Sequence, residues 1–385
     1  MNILSRRLVV LFAVSCGLAV ANTYYAQPLV GQIAGDVGLS TGAAGLVMTL
    51  TQLGYGLGLL LLVPLADVLE NRRVVVIALA GAALGLVAVA TSRGQATFFA
   101  ASFLVGFAAT ATHVLVPFVS HLAPPERRGR IVGSVMSGLL AGVMLARPFS
   151  SLVASVFGWR AVFATSAAMM VVLLVALLFA LPERRPTGAL RYGQAIASLG
   201  RMLVTTPLLR RRAFYQGMMF AAFNFFWTCS PLLLTRSMGL SQRGLALFAL
   251  AGAAGALAAP WAGRLADRGL TRRATGLALA AASLAMLVVG YAGARGSILW
   301  LVAGALVLDG AVQVCQILGL RSLYMLAAEE RGRLNGLYMA LIFGCGATAS
   351  VTSTVVYATW GWLPVCVVGA GLVALALAFF ATERA

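Results

Sequence analysis

Apolar residues run through this chain in long stretches separated by short polar links, and the lengths of those stretches carry most of the structural information. A helix that crosses a bilayer needs about 20 mainly apolar residues. Reading for such runs predicts twelve spans, over 8–30, 42–66, 74–91, 96–122, 130–157, 159–181, 213–235, 243–266, 274–294, 297–327, 333–358 and 360–381. The first run is long and lacks a small-residue cleavage site, so it reads as a retained span and not as a signal peptide. One polar segment is longer than the other links, opening with Pro182-Glu183-Arg184-Arg185-Pro186 and closing with Arg210-Arg211-Arg212. Within it Tyr192, Ile196, Leu199 and Leu203 recur at helical spacing, while Arg191, Gln194, Ser198 and Arg201 face elsewhere. That pattern suits a helix lying on the membrane surface, and a plain flexible linker fits the composition equally well.

The runs repeat. Leu65-Ala66-Asp67 followed by Arg72-Arg73 returns 200 residues later as Leu265-Ala266-Asp267 followed by Arg272-Arg273. Pro28-Leu29 matches Pro231-Leu232, Gly38-Leu39-Ser40 matches Gly239-Leu240-Ser241, Gly129-Arg130 matches Gly332-Arg333, and Gly158-Trp159 matches Gly361-Trp362. The offsets stay between 200 and 203 and the order is kept. This predicts an all-α membrane protein of twelve transmembrane helices in two parallel six-helix repeats. The expected units are residues 1–183, a linker over 184–212, and residues 213–385.

Composition agrees: 61% of the 385 residues are hydrophobic and 10% charged, too apolar for a water-soluble core. The formal charge of +18 does not point to nucleic acid, because the cations sit in short links and not on one solvated face. All 28 basic residues are arginine. With no lysine there is no phosphate-loop lysine, Schiff base or lysine nucleophile, which removes the common routes to ATP use and covalent catalysis. Arginine counts set the expected orientation: 21 fall in the links on the side of the N-terminus and five on the other, so both termini are expected in the cytoplasm of a bacterial-type inner (plasma) membrane. Cys16, Cys229, Cys315, Cys345 and Cys366 are scattered through apolar runs and read as packing residues.

Twelve spans in two parallel halves, with a carboxylate and arginines in the loops after spans two and eight, resemble the major facilitator superfamily over essentially the whole chain. The loop is the most specific element. The family pattern is roughly Gly-x-Leu-Ala-Asp-Arg-x-Gly-Arg-Arg, and Gly263-Arg264-Leu265-Ala266-Asp267-Arg268-Gly269 keeps most of it. The first copy departs further, with Val63 and Val68 at the glycine and arginine positions and Glu70-Asn71 in the spacing. A carboxylate at one helix end is stabilised by the positive N-terminus of another, by about 0.3–1 kcal/mol when exposed. The resemblance implies that Asp67 faces the start of span eleven (Arg333, Gly336) and Asp267 the start of span five (Arg130, Gly133), across the two halves and only while the cytoplasmic side is closed. Arg72, Arg73, Arg268, Arg272 and Arg273 complete this expected gate; a topology signal alone would account for the same residues.

Inside the spans polar groups are few. Asp309 is the only acid well within one, and it forms a stripe with Gln313 and Gln316 on span ten. At the 203-residue offset Thr110 and His113 of span four stand where Gln313 and Gln316 stand, so equivalent helices present polar groups, which in the resembling fold line the central cavity. Asp309 is a candidate proton carrier, with His113 second; either could instead be hydrogen-bonded structure. Asn22 and Tyr25 on span one and Asn224 and Trp227 on span seven are candidate substrate contacts, since aromatic faces with a few amides hold small organic molecules; aromatics near the helix ends could also mark the membrane interface. Arg147-Pro148 follows Gly138-x-x-x-Gly142, which permits close helix approach. That stretch is similar to the span-five motif of proton-coupled drug exporters. Arg147 departs from it, and Gly106-Phe107-Ala108 stands where such exporters carry an arginine on span four. Arg147 could pair with a carboxylate, bind an anionic group of a substrate, or reach outward to the interface.

The expected function is secondary transport by alternating access, with proton-coupled efflux of small organic molecules as the leading form and a sugar or metabolite uniporter or symporter as the alternative. A sensor or scaffold is disfavoured by the paired gating loops, and no catalytic constellation points to an enzyme. The expected partners are a small-molecule substrate, protons and membrane lipid, with no cofactor, metal or nucleic acid, and the chain is expected to act as a monomer.

Overall fold

The computed structural model describes residues 5–124, 126–183, 191–326 and 331–383; Arg184, Arg185 and Pro186 of the linker, and Arg384, lie outside them. Every regular element among the described residues is helical. Spans three, five and six are the unbroken helices α4 (Asn71–Thr91), α7 (Arg128–Phe157) and α8 (Trp159–Ala180), and span two is α3 (Leu46–Leu65). Spans seven, nine, ten, eleven and twelve are α10 (Pro207–Arg236), α13 (Thr271–Ala294), α14 (Ile298–Tyr324), α15 (Arg331–Trp360) and α16 (Trp362–Ala381).

Three spans expected as continuous are interrupted. Span four divides at Thr110 into α5 (Gln95–Ala109) and α6 (Thr112–Leu122), yet still crosses as one unit. Span one is α1 (Arg6–Ala21), a run of turns over 22–26, one 3-10 turn at Gln27–Leu29, and α2 (Val30–Asp36). Through this stretch the backbone bonds tighten to three residues, Thr23 to Val20, Tyr24 to Ala21, Gln27 to Tyr24 and Leu29 to Ala26, and Pro28 has no N–H with which to resume the four-residue pattern. Span eight is α11 (Gln242–Ala253), a 3-10 turn at Ala254–Ala258, and α12 (Ala259–Asp267). Its tightened turn lies against span ten: a Cβ on Gly255 would come within 2.9 Å of the Asp309 Cβ. A bulkier residue could not hold the two backbones together there.

The repeat is visible in the backbone. Gly38 and Gly239 adopt φ of 76° and 66°, and Gly158 and Gly361 adopt 80° and 81°, so matching corners in each half use the left-handed region that favours glycine. Another pair of contacts repeats at 200 residues: Arg72 lies 3.9 Å from Glu183, and Arg272 donates to the Glu383 backbone carbonyl. In the second half Glu383 also accepts from Arg212 at 2.9 Å and Tyr215 at 3.2 Å, which draws the end of α16 onto α10.

Each half packs its own core. One buried cluster runs from Phe12 to Leu181 within spans one to six. The other gathers spans seven to twelve and adds Tyr55, Leu59 and Ala109 from the first half. Within 191–212 the described chain forms a helix, α9 (Tyr192–Thr205). Its buried face, Ala195, Ser198, Leu199 and Met202, docks on protein, chiefly α3, α15 and α10. Tyr192 donates to the Leu61 carbonyl on one half, and Ser198 accepts from Arg333 on the other. Ser5, Glu383 and α9 lie on one side of the molecule, the terminal side; its opposite is the far side.

Candidate functional site: a charge pair between two halves

Two seams join the halves. Along the first, α3 and α15 pack over their whole length: the Gly45 N–H donates to the Thr354 hydroxyl at 3.0 Å, Thr49 donates to the Ala347 carbonyl at 2.9 Å, and the Tyr55 and Phe343 rings lie 4.4 Å apart. Toward the terminal side a Cβ on Gly336 would sit 3.4 Å from the Leu59 carbonyl oxygen. Along the second seam α7 packs on α11 in the far-side half, and among the described residues α12 makes no comparable contact with it. Arg128, Gly129, Arg130, Gly133 and Ser134 at the start of α7 are accordingly exposed. The halves therefore part on the terminal side of this seam and are sealed on the far side.

Within the seal lies a buried ion pair. Arg147 on α7 directs Nη1 at Asp309 Oδ2 on α14, 3.4 Å away, across the division between halves. Trp227 on α10 donates its indole N–H to Asp309 Oδ1 at 2.7 Å. Arg147 Nε donates to Gln27 Oε1 at 3.0 Å. The guanidinium also lies 4.1 Å from the Trp227 ring centroid, 4.9 Å from Phe223 and 5.8 Å from Tyr24, close enough for cation-π attraction. Of the three roles open to Arg147 in the sequence, the structure realises the carboxylate pair. A charge at bilayer depth is tolerated when it is paired and hydrogen-bonded, as this one is.

One helical turn toward the terminal side a neutral polar layer follows. Gln52 on α3 donates to Asn224 Oδ1 at 2.6 Å, and Ser350 on α15 donates to the same oxygen at 3.2 Å. Beyond it His113 is held between halves, with Nε2 2.9 Å from the Tyr55 hydroxyl and Nδ1 3.4 Å from Asn335 Nδ2. Gln313 and Gln316 are partly exposed, and Gln316 reaches the Met339 sulfur. Asp309, Trp227, Arg147, Asn224 and His113 thus form layers between the halves.

Other candidates lie elsewhere. Asn22 accepts from Ser166 at 2.6 Å and approaches the Met170 sulfur, both on α8, so it faces the interior of its own half. Tyr25 packs on Phe149 of α7. The turns ahead of Pro28 rotate these side chains off the line a continuous helix would follow and bring Tyr24 and Gln27 to Arg147 instead. Thr110 is buried at the break in span four and donates to its own helix at Phe107.

Asp267 pairs with Arg321 of α14 at 2.6 Å, within its own half, and not with the start of α7 as the resemblance implied. The reason is distance: α7 and α12 are parted on that side. Arg73 pairs with Glu70 at 2.7 Å, Arg72 is spent on α8 and Glu183, and Arg333 reaches Ser198. Asp67, Arg130, Arg268, Arg272 and Arg273 are exposed. Among the described residues no three His, Cys, Asp or Glu side chains converge as a metal site.

Sequence reasoning did not single out Gln52, Ser350, Asn335 or Glu383. Glu183 and Glu383 carried a usable signal, since they repeat at the same 200-residue offset as Arg72 and Arg272.

Known proteins resemble this chain closely enough to place it. Residues 11–350 match the family model described as Major Facilitator Superfamily. A putative uncharacterized transporter of Escherichia coli (strain K12), YgaY, is 38% identical over 368 residues, covering 95% of this chain and 93% of its own. A probable transporter of Streptomyces coelicolor, SCO4007, is 34% identical and covers 94% of this chain and 84% of its own. Among solved structures the nucleoside transporter NupG superposes with a TM-score of 0.76 at 14% identity, covering 97% of this chain and 98% of that one, a likeness of fold alone.

Proposed function

The chain belongs to the Major Facilitator Superfamily of membrane transporters, and from that premise we propose that it moves small organic molecules across a bacterial inner membrane by proton-coupled alternating access. It acts as a monomer with both termini in the cytoplasm. The observation that supports coupling is the Asp309–Arg147 pair, because it joins a group that can take up a proton to one that cannot release its own. A proton on Asp309 removes the attraction that holds the two halves together at the far-side seal. Loss of that proton restores it. The proton thereby biases the equilibrium between states in which the seal is closed and open, which is what alternating access needs. Asp267, released from Arg321, closes on the start of α7 when the terminal side shuts.

The similarity to drug exporters points to efflux in exchange for protons, in which substrate and proton compete; symport, in which they bind together, is the second reading, and the buried Arg147 beside Asp309 favours it. An uncoupled uniporter would use the same cavity and leave Asp309 as a structural ion pair. The decisive experiment places purified protein in liposomes with a pH-sensitive dye inside. The expected result is a change of internal pH on addition of a transported substrate, absent in Asp309→Asn. Equal substrate movement by both proteins, with no pH change, would overturn proton coupling.

A further inference from the structure

We infer that the cargo is a planar organic anion whose carboxylate binds Arg147 and Gln27 beside the rings of Phe223, Tyr24 and Trp227, and that it travels together with one proton held on Asp309. This rests on the coupling role proposed above and adds the charge of the substrate and the sign of the coupling.

Charge balance carries the argument. Arg147 and Asp309 are both buried, and together they are neutral. A cation entering at Asp309 would leave two positive charges against one negative, and arginine has no accessible neutral form through which to relieve the excess. A carboxylate entering at Arg147 leaves two negative charges against one positive. That excess has a remedy, because Asp309 can take up a proton and return the site to neutrality. The anion and the proton therefore stabilise each other in the site, whereas exchange of a cation for the proton is opposed by Arg147. The ionisable groups facing Asp309 are Arg147 from α7 and Tyr24 from the turns after α1; α10 presents the neutral Trp227, and the interrupted span eight presents the backbone of Gly255.

The local geometry points the same way. The Arg147 guanidinium already faces a carboxylate, that of Asp309, so a substrate carboxylate replaces like with like. Asp309 meets the guanidinium through one contact of 3.4 Å, whereas arginine and carboxylate bind best through two parallel, shorter ones. A free carboxylate, unconstrained by α14, can adopt that fork. Gln27 supplies a second donor. It is 1% exposed, its oxygen accepts from Arg147, and its amide nitrogen has no hydrogen-bond partner among the described residues. A buried donor without an acceptor is costly, and an anion on Arg147 provides the acceptor. Phe223 and Tyr24 flank the guanidinium with flat apolar faces suited to an aromatic or otherwise planar body.

The test uses the full chain in detergent and titration calorimetry in buffers of different ionisation heat, which reports protons taken up per ligand bound. The probes are benzoate, phenylacetate and 4-hydroxybenzoate, with neutral benzamide and cationic benzylamine as controls. The expected result is binding of aromatic carboxylates with uptake of about one proton each, and affinity that falls by up to about tenfold per pH unit where Asp309 is otherwise ionised. Asp309→Asn should keep anion binding and lose both the proton uptake and the pH dependence. Arg147→Gln should weaken binding at least about tenfold. Because that variant leaves a buried carboxylate unpaired, Gln27→Leu serves beside it, with severalfold weaker binding and unchanged proton uptake. Benzylamine binding with proton release through Asp309 would preserve coupling and overturn the anion assignment. Failure of all three carboxylates to bind, or their binding equally with benzamide and without proton uptake, would overturn it as well. Proton uptake that persists in Asp309→Asn would remove Asp309 from the proposal. If anion binding stands while liposomes show no proton movement, the coupling reading fails and the substrate class survives.

Discussion

Arg147 and Asp309 are separated by 162 positions in the chain and meet at 3.4 Å, one from each six-helix half. Their side chains are 4% and 8% exposed. Removing either partner strands a buried charge, which typically costs about 3–5 kcal/mol, while replacing both with neutral groups of similar size is often close to neutral. Arg147→Gln should therefore lower the thermal stability of the detergent-purified protein markedly, and the double variant with Asp309→Asn should recover most of the loss. A double variant no more stable than Arg147→Gln would show that the pair does not hold the halves.

Transport separates the proton from the fold. Asp309→Asn freezes a neutral side chain of nearly the same shape, and it should reduce gradient-driven accumulation at least about tenfold. Exchange of labelled for unlabelled substrate without a gradient should persist, since that half-reaction needs no proton release. Wild-type accumulation by the variant would place the coupling proton elsewhere, with His113 the next group to replace.

Gly255 is a steric prediction. A methyl group there meets the Asp309 Cβ at 2.9 Å and the Gly310 nitrogen at 2.8 Å, so Gly255→Ala should cost about 1–3 kcal/mol and impair transport. Gly263, in the repeated loop motif, has no atom within 4 Å of an added Cβ, and Gly263→Ala should leave stability unchanged. Comparable unfolding temperatures for the two variants would contradict the close packing of span eight on span ten.

Asp267 and Arg321 form an exposed pair, and such pairs contribute about 0–1 kcal/mol. Asp267→Asn should fold normally. If the carboxylate closes on the start of α7 in the alternate state, the variant should shift the population toward the conformer open on the terminal side. Spin-label distances between α7 and α12 measure this directly, and identical distributions in wild type and variant would deny Asp267 a gating role.

The far side offers a test by pH. Asp36 accepts from Trp159 at 2.8 Å and from Arg160 at 2.6 Å, and these two donors hold its carboxyl below the ordinary carboxylate range. A carboxyl whose value is lowered by folding adds stability above its unfolded value of about 3.9, and that stability is lost as pH falls through the lower folded value. Acidification below about pH 4 should thus destabilise the wild type slightly more than Asp36→Asn. Parallel acid-unfolding curves would indicate that the contacts contribute nothing.

The sequence revealed the spans, the repeat and the lone intramembrane acid because each is a local or periodic property of the chain. Asp309 stood out as the one acid inside an apolar run, and Arg147 as a charge beside a proline. Their pairing was not legible, since nothing local connects α7 to α14. The turns before Pro28 were the other obstacle: a helix continued through residue 27 places Asn22 and Tyr25 in one direction, and the actual break places them against α8 and α7 while bringing Gln27 to Arg147. Pro231, at the matching position in the second half, lies inside an unbroken helix, so the proline alone did not announce the break.

The two charges also break the symmetry of the repeat. At the offset of 203, Arg147 corresponds to Ser350 and Asp309 to Gly106, so the first half supplies only the cation of this pair and the second only its acid. Each half, inserted alone, holds a charge for which a bilayer exacts about 2.5–3.5 kcal/mol on insertion scales. During biosynthesis the first half must therefore wait in the membrane with Arg147 uncompensated until α14 emerges. A chain truncated before Asp309 should be recognised and degraded, and separately expressed halves should find each other through the same ion pair.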